Sequence, residues 1–415
     1  MVNYIHCNAN KNISNVRLIQ STQAIQHLSY CSNIHPGETW EQTQRNLHDN
    51  LPGIRKQIAP EQDFGIGLRL SAQAANDLAK PDALTAFTQY LNANPFYLFT
   101  INGFPYGPFH GTTVKEAVYL PDWLDPERLR YTNQLADLLA QLLPDDVNGS
   151  ISTVPGAFKA SVKSAGDIQI MAHNLVRHVA HLIEVKRTTG KQICLALEPE
   201  PCCFLETIDE TCAFFKQYLY SNDARKMLSQ LTGIDNSEAD AALHEHLTVC
   251  LDICHAAVEY EDAKACLATL RQAECAVGKL QISAGLKFDG INADTVKLLK
   301  PFEDNVYLHQ VVARRNSELH RFTDLHEAFA SLNGGALFDE WRVHFHVPVF
   351  MDKFGSYTST QFFIKEMLAL HNTTPISDHL EVETYTWGVL PEEHKTDNMQ
   401  QAIVRELQWV MAQLN

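Results

Sequence analysis

Acidic side chains end several short apolar runs of this sequence. In CLALEPE, residues 194–200, Glu198 and Glu200 share one face of an extended chain, because successive side chains of a strand alternate between its two faces. The same alternation places polar residues on a common face of further runs: Asp252 in VCLDICH, Lys279 and Gln281 in GKLQISAG, Glu381 and Glu383 in HLEVETYTW, His344 and His346 in WRVHFHVPVF, and Arg69 in GIGLRLS. Runs of this apolar character belong in a core, where carboxylates need a partner.

Several carboxylates cannot be crowded together in ionised form without a cation. Oxygen ligands combined with an imidazole or an amide suit Mg, Mn or Co, and also Zn. The sequence therefore predicts a divalent metal site. A single acid at the end of a strand is more often a capping or surface group, so the prediction depends on the repetition of the pattern.

Other residues are candidates for substrate binding, each with a purely structural alternative. Arg69 and Lys279 could bind a phosphate, a carboxylate or sugar hydroxyls, or could form ion pairs with the excess acids. Asn102 and the aromatic segment GFPYGPFHG could form a wall or lid. Trp387, with Tyr385, could stack on a sugar ring or only pack at the rim. His35 and His309 are weaker candidates.

Eight apolar runs alternate with helical patterns along the chain. They lie at 27–33, 64–71, 96–103, 148–155, 192–200, 247–255, 278–285 and 379–387. Strands alternating with helices predict a parallel sheet, and eight such units predict a (β/α)8 TIM barrel. Active sites of that fold lie at the carboxyl ends of the strands, where the acids occur. An open doubly wound sheet is the alternative, but no G-x-G-x-x-G follows an early strand.

We interpret the chain as an N-terminal extension over 1–26 followed by a single barrel domain over 27–415. Two insertions are expected, a helical one at about 221–246 and an elaborated loop after the seventh strand at about 286–342. The latter contains two additional strand-like pieces, at 305–314 and 341–350.

Composition limits the partners. The 415 residues have a formal net charge of -16, which argues against broad binding to nucleic acid. Ten cysteines occur without a CxxC pair, which is typical of reduced thiols in a cytoplasmic protein. No transmembrane run or secretory signal is recognisable. We expect a small-molecule substrate and no membrane insertion, and a homo-oligomer is compatible with the sequence.

The arrangement resembles the xylose-isomerase-like TIM-barrel superfamily of sugar isomerases, epimerases and apurinic endonucleases. The resemblance implies a metal site of Glu198, Asp252, Gln281 and Glu383 from the fifth to eighth strands. Gln281 stands where most relatives have His. In that superfamily the two metal-bound glutamates also move protons, which implies acid/base roles for Glu198 and Glu383. Glu200 and Glu381 are the rivals for those positions.

The resemblance also implies roles for two histidines. His255, in the Asp-x-x-His of LDICH, would face the substrate. His346 falls where the endonuclease branch has an extra metal-binding histidine, and a second metal could use His255, His344 and His346.

The motifs HLSYCSNIHPGETW, LEPEP, LHQVVARR, HFHVPVF and LEVETYTWGVLP resemble those of EboE-type metabolite traffic proteins. That resemblance implies a gene cluster that makes or exports a small metabolite. The first functional hypothesis is a metal-dependent isomerase or epimerase acting on a small polyhydroxylated or keto compound. The alternatives are a metal-dependent hydrolase of the endonuclease-like branch and a non-catalytic metabolite-binding barrel.

Overall fold

The computed structural model describes residues 17–19, 25–109, 115–303, 307–389 and 398–414. The strands within these residues are β1 (Arg17–Ile19), β2 (Ile25–Tyr30), β3 (Phe64–Arg69), β4 (Phe96–Asn102), β5 (Gly149–Thr153), β6 (Ile193–Leu197), β7 (Leu247–Asp252), β8 (Val277–Ile282), β9 (Ala284–Asp289), β10 (Val311–Arg315), β11 (Glu318–Phe322), β12 (Glu340–Val347), β13 (Lys353–Phe354), β14 (Tyr357–Ser359) and β15 (His379–Val382).

The α-helices of the same residues are α1 (Trp40–Ile58), α2 (Ala72–Leu78), α3 (Pro81–Ala93), α4 (Pro126–Leu142), α5 (Ala165–Thr189), α6 (Ile208–Phe214), α7 (Asn222–Thr232), α8 (Asn236–His246), α9 (Ile253–Val258), α10 (Ala263–Gln272), α11 (Ala293–Leu299), α12 (Leu325–Asn333), α13 (Gln361–Thr373) and α14 (Met399–Gln413). A π-helical segment, Phe215–Leu219, continues α6, and a 3-10 helix spans Lys115–Tyr119.

Eight parallel strands form a nearly closed barrel, in the order β2-β15-β8-β7-β6-β5-β4-β3. Helices alternate with these strands, so the predicted (β/α)8 fold is confirmed. We number the barrel strands first to eighth in chain order, so that β15 is the eighth.

The seam of the barrel lies between the first and second strands. A single parallel bridge joins Cys31 to Gly67. Below it, the Ser29 hydroxyl donates to the Gly65 carbonyl at 2.8 Å and accepts from the Gly67 amide at 3.0 Å. A side chain thus satisfies backbone groups that ordinary strand pairing would otherwise use.

Local sequence signals account for the helix boundaries. Thr39 and Gln42 form a capping box at the start of α1, and Ser164 and Asp167 form another at the start of α5. Gly190 ends α5 in the left-handed conformation, at φ 75°, which glycine adopts without a Cβ clash. These caps fix where each connecting helix enters and leaves the barrel wall.

The elaboration after the seventh strand is a second sheet. Its six strands are antiparallel, in the order β11-β10-β12-β9-β14-β13, and β9 begins two residues after β8 ends. It extends to Ser359, beyond the expected 286–342, because β13 and β14 complete the sheet before α13 leads to the eighth strand. Residues 221–246 contain α7 and α8, and Arg17–Ile19 of the expected N-terminal extension pairs antiparallel with the first barrel strand.

Candidate metal centre

The carboxyl ends of the fifth to eighth strands bring four of the predicted residues together. A ligand atom from each of Glu198, Asp252 and Glu383 lies within 4.8 Å of the other two. The Gln281 amide nitrogen donates to Glu198 Oε1 at 2.9 Å and to Glu383 Oε2. All four side chains are buried, so three carboxylates share one small volume removed from solvent.

Three buried atoms at this centre have no hydrogen-bond partner: Glu198 Oε2, Asp252 Oδ2 and His346 Nε2. The remaining oxygen of Asp252 accepts from the Ser283 hydroxyl at 2.7 Å and from the His255 amide at 2.9 Å, which fixes the carboxylate. Buried carboxylate oxygens are normally paired or bound to metal. Two oxygens and one imidazole nitrogen left open at one place fit a divalent cation.

The structure differs from the expected ligand set at Gln281. Its amide nitrogen, rather than its oxygen, faces the carboxylates, and its oxygen accepts from the Cys250 thiol at 3.4 Å. Gln281 therefore holds Glu198 and Glu383 in place, and the imidazole nitrogen left open at this centre is His346 Nε2. His346 reaches the centre from β12 of the second sheet, and its Nδ1 donates to the Glu383 backbone oxygen at 3.0 Å.

The two glutamates of the centre have opposite electrostatic environments. Burial and the neighbouring Glu383 and Asp252 charges raise the pKa of Glu198 well above its usual value. Burial also acts to raise the pKa of Glu383, but the hydrogen bond and charge of His346 outweigh it and leave that pKa lowered. Asn33 and Asn102 add hydrogen bonds to Glu383 Oε1 at 2.6 and 3.0 Å. The pair thus combines one carboxyl that favours its proton with one that stays ionised.

The rival glutamates lie on either side of this centre. Glu381 Oε2 is 2.6 Å from Lys279 Nζ, and both side chains are 0% exposed. That pair lies deeper in the barrel, since Glu381 precedes Glu383 on the same face of the eighth strand. Glu200 lies on the other side, where its Oε1 accepts from the Tyr119 hydroxyl at 2.8 Å and from the Gln310 amide at 3.1 Å.

A cavity opens above the centre and, with its mouth, encloses ≈ 530 Å³. Glu198, Glu200 and Glu383 line its floor, and His255, His344 and His346 line one wall. Three aromatic rings, Phe109, Tyr307 and Tyr385, also line the cavity, with centroids 5.2–5.4 Å apart. The described lining includes one Lys or Arg, Lys115, and its Nζ is 2.6 Å from Asp324 Oδ2. The cavity is therefore lined by acids, imidazoles and aromatic rings.

Three of the predicted substrate-binding residues do not line this cavity. The Arg69 guanidinium donates to the Gly37 and Gly107 carbonyls at 2.8 and 2.6 Å and pairs with Glu38 at 3.3 Å, so it ties loops together. Lys279 is enclosed in the barrel with Glu381. Trp387 is 4% exposed, and its ring lies 6.3 Å from that of Phe350. For these residues the structural alternative is the better interpretation.

The other predicted residues, Asn102, His255 and His346, do line the cavity. His309 instead stacks on Phe345 at 4.1 Å, and the His35 imidazole contacts the Tyr30 hydroxyl at 3.3 Å. The aromatic segment is described up to Phe109, which lines the cavity, and its last two residues lie outside the described part.

Sequence reasoning missed Asn33, Tyr119 and Gln310. Asn33 follows the end of the first strand, so the same signal that identified the acids, a polar residue at the end of an apolar strand, could have identified it. Gln310 is adjacent to His309, the residue that drew attention in LHQVV. Nothing local distinguishes Tyr119, which comes from the 3-10 helix between β4 and α4.

No protein-family model and no curated protein matches the chain, so the EboE-type resemblance has no support from these comparisons. Solved structures that are similar are xylose-isomerase-like TIM-barrel proteins. One is the probable 3-DHS dehydratase AsbF, involved in petrobactin synthesis, from Bacillus anthracis, at 12% identity and TM-score 0.45 over 92% of this chain and 97% of that one.

Two further similar structures contain metal. One is a xylose isomerase-like TIM barrel protein from Mycobacterium smegmatis in complex with magnesium, at 10% identity and TM-score 0.46 over 94% and 96% of the two chains. Another is the IolI protein with a bound zinc atom, at 12% identity and TM-score 0.42 over 94% and 99%. These TM-scores are below 0.5, so the fold is assigned from the strand order of the chain itself and not from the similar structures.

None of the helices in the described part of the chain has the length and apolar character needed to span a membrane.

Proposed function

We propose that this chain is a metal-dependent enzyme of the isomerase or epimerase type, acting on a small polyhydroxylated or keto compound. The observation that carries the proposal is the pairing of Glu198 with Glu383 through the amide of Gln281, beside buried acceptor atoms without partners. Two carboxyl groups with opposed proton affinity around a cation-binding pocket are what proton transfer at carbon requires.

The ligands proposed for the cation are Glu198, Asp252, Glu383 and His346. Mn, Mg, Co and Zn all suit a set of carboxylates with one imidazole. When bound, such a cation would supply Lewis acidity to a substrate carbonyl or hydroxyl.

Glu383 is the better candidate for the base. Four side chains, those of Asn33, Asn102, Gln281 and His346, donate to its carboxylate and hold it ionised. It would take the proton from the carbon next to a carbonyl. Return of a proton to the opposite face of the same carbon gives the epimer. Its return to the former carbonyl carbon, with the neighbouring hydroxyl proton passing to the former carbonyl oxygen, gives the isomer. Glu198, from the fifth strand, is positioned to return it.

The charge of the cavity favours an uncharged substrate. Its described lining contributes the carboxylates of Glu198, Glu200 and Glu383, and the one lysine among these residues is paired with Asp324. A phosphate group would therefore have to bind through the proposed cation, because Lys115, the cationic side chain of this described lining, is paired with Asp324. The aromatic rings of the lining suit the flat apolar side of a cyclic sugar or cyclitol.

Proton transfer can be tested without knowing the product. The metal-loaded protein would be incubated in deuterium oxide with unphosphorylated aldoses, ketoses and keto-cyclitols. Proton NMR would then follow deuterium incorporation beside the carbonyl. We expect incorporation with at least one compound, and a rate about 10²–10⁴-fold lower in Glu198→Gln and Glu383→Gln.

Glu406→Gln is a matched control for these two variants. Glu406 is a buried glutamate whose Oε1 accepts from the Thr384 hydroxyl and the Val349 amide, and a glutamine oxygen keeps both bonds. Metal content would be measured in parallel for the native protein, Asp252→Ala and Glu383→Ala. One ion per chain that both alanine variants lose is the expected result. A native protein that binds no metal after supplementation would refute the proposed mechanism.

The second candidate function is that of a metal-dependent hydrolase, and the three histidines of the cavity are the observation that favours it. Hydrolases with several metals use imidazole ligands, and His255, His344 and His346 meet beside Glu200. Tight binding of an unchanged metabolite, without deuterium incorporation or hydrolysis, would instead indicate a binding barrel. The metabolite-handling gene cluster implied by the EboE-type motifs remains part of the proposal, and it rests on those motifs alone.

A further inference from the structure

The strand β12 is bulged at the point where it carries its two histidines. Its pairing with β9 is regular up to Val343 and resumes at Val347, but a single residue of β9, Gly285, lies between the two partners. Three residues of β12, 344–346, therefore stand opposite one residue of β9. Bulges of this kind redirect side chains and are frequent next to active sites.

The bulged residues lie outside the regular strand pairing. The Gly285 amide donates to the Thr360 hydroxyl at 2.8 Å, and the Gly285 carbonyl accepts from the Thr360 amide at 2.9 Å. On the other side, β12 pairs with β10 as far as Val343, and the His344 amide donates to the Gln310 carbonyl at 2.9 Å. The buried carbonyls of the two residues after His344 therefore need other donors.

Side chains from outside the second sheet donate to these two carbonyls. The Cys254 thiol donates to the Phe345 carbonyl at 3.2 Å, and the Thr386 hydroxyl donates to the His346 carbonyl at 2.6 Å. Thr386 is 2% exposed and lies three residues after Glu383, in the loop that follows the eighth strand. A barrel loop that carries a proposed metal ligand thus holds the backbone of a histidine from the second sheet.

This loop contacts His346 at three places. The Glu383 carbonyl oxygen lies 3.0 Å from His346 Nδ1, and the ring centroids of Tyr385 and His346 are 4.7 Å apart. Thr386 makes the third contact, from its hydroxyl to the His346 backbone. The Thr386 bond can therefore be removed by substitution while the imidazole, the Glu383 carboxylate and the Tyr385 ring stay intact.

We propose that Thr386 is a positioning residue for His346. Its hydroxyl fixes the bulged backbone of β12 at the place where the imidazole reaches the carboxylates of the metal centre. There, His346 Nδ1 lies 3.2 Å from Glu383 Oε2, and His346 Nε2 lies 3.9 Å from Asp252 Oδ2. The effect on cation binding rests on the proposed metal-dependent function.

Loss of the Thr386 hydroxyl should weaken the binding of a cation that uses the imidazole. Groups that orient metal ligands from behind typically change metal affinity by 10–100-fold. We therefore expect Thr386→Val, which keeps the shape of the side chain, to lower the affinity for Zn²⁺ about 10–100-fold. Thr386→Ser, which keeps the hydroxyl, should bind zinc as the native protein does. The loss should be smaller for Mg²⁺, which prefers oxygen ligands.

Zinc affinity would be measured on the full chain after metal removal, by competition with a chromophoric chelator. Thr211→Val is the matched control, because Thr211 is 0% exposed and its hydroxyl donates to the Thr207 carbonyl at 2.8 Å, at the start of α6. This variant loses the same kind of hydrogen bond and should keep the native zinc affinity.

A double-mutant cycle tests whether Thr386 acts through His346. His346→Ala should lower zinc affinity, and the addition of Thr386→Val to that variant should lower it little further. Losses that add in full would show that Thr386 affects the metal centre by another route, which would overturn the proposal.

A further readout needs no metal. Hydrogen–deuterium exchange of the metal-free protein would be followed in peptides that cover residues 340–350. We expect faster exchange there in Thr386→Val than in the native protein, Thr386→Ser or Thr211→Val, with the barrel strands unchanged. The proposal requires both the faster exchange and the lower zinc affinity. A Thr386→Val variant that shows only one of these changes, or neither, would overturn it.

Failure of this inference and failure of the proposed function give different results. Zinc binding that is weakened in Thr386→Val, without deuterium incorporation into any substrate, would support the role of Thr386 and refute the isomerase. Deuterium incorporation with native zinc affinity in Thr386→Val would support the isomerase and refute the role of Thr386. A native protein that binds no metal would refute both.

Discussion

The buried ion pair of Lys279 and Glu381 gives the strongest test of the barrel interior. Lys279→Met keeps most of the side-chain volume and removes the charge, leaving Glu381 without its cation. At 2.6 Å and an effective dielectric constant of 20, the lost attraction is about 6 kcal/mol. Relaxation and protonation of Glu381 reduce the cost, so we expect a loss of about 3–5 kcal/mol in the free energy of unfolding.

The pH dependence of this loss has a definite sign. Burial already raises the pKa of Glu381, and removing Lys279 raises it further. Between the unfolded pKa of glutamate, about 4.3, and this higher folded pKa, the folded variant binds more protons than the unfolded chain. Its stability therefore falls as pH rises, and the defect is smallest near pH 5 and largest near pH 8.

Urea unfolding of the native protein and the variant, followed by tryptophan fluorescence at both pH values, measures the effect. Lys297→Met is the matched control, because Lys297 forms the same kind of bond with Asp294 at 2.8 Å but is 76% exposed. We expect that exposed pair to contribute less than about 1 kcal/mol. A Lys279→Met variant no less stable than the control, or one whose defect grows at low pH, would refute the reasoning.

Three further outcomes are expected. Asn33→Asp places a carboxylate beside Glu383 and should raise its pKa, so the acidic limb of the pH–rate profile moves to higher pH; an unchanged limb would exclude Glu383 as the base. Gly67→Ala should lower stability by about 1–3 kcal/mol in urea unfolding, because a Cβ there would lie 2.6 Å from a backbone oxygen of the first strand, whereas Gly107→Ala, with nothing within 4 Å, should be neutral. A metal at a hundredfold excess over its Kd should stabilise the native protein by about 2.7 kcal/mol, and Asp252→Ala should abolish the gain; equal gains would place the ion elsewhere.

The barrel could be predicted because each strand is a short apolar run bounded by helical pattern, which is a local property of the sequence. A cluster of acids could be predicted because parallel strands bring their carboxyl ends to one rim, whereas the choice of Glu198 and Glu383 over Glu200 and Glu381 came from the resemblance to the superfamily. Period-two alternation also placed Glu381 and Lys279 facing inward. The alternation does not show how far along the barrel axis a side chain lies. A structural ion pair deep in the barrel could therefore not be distinguished from residues of a functional site.

Contacts between distant elements account for most of what the sequence did not reveal. The partners of Arg69 are Glu38 and two loop carbonyls, and no spacing in the chain relates these groups. The extent of the second sheet was underestimated because β13 and β14 are only two and three residues long. Gln281 lies beside Glu198 and Glu383, but the direction of its amide depends on which oxygens surround it.

The cavity draws its groups from two separately built parts of the chain. The barrel strands supply the carboxylates, whereas β12 of the second sheet supplies His344 and His346 on one face of a single strand. A change in the inserted sheet can therefore alter the nitrogen donors and one wall of the cavity while the acids stay in place.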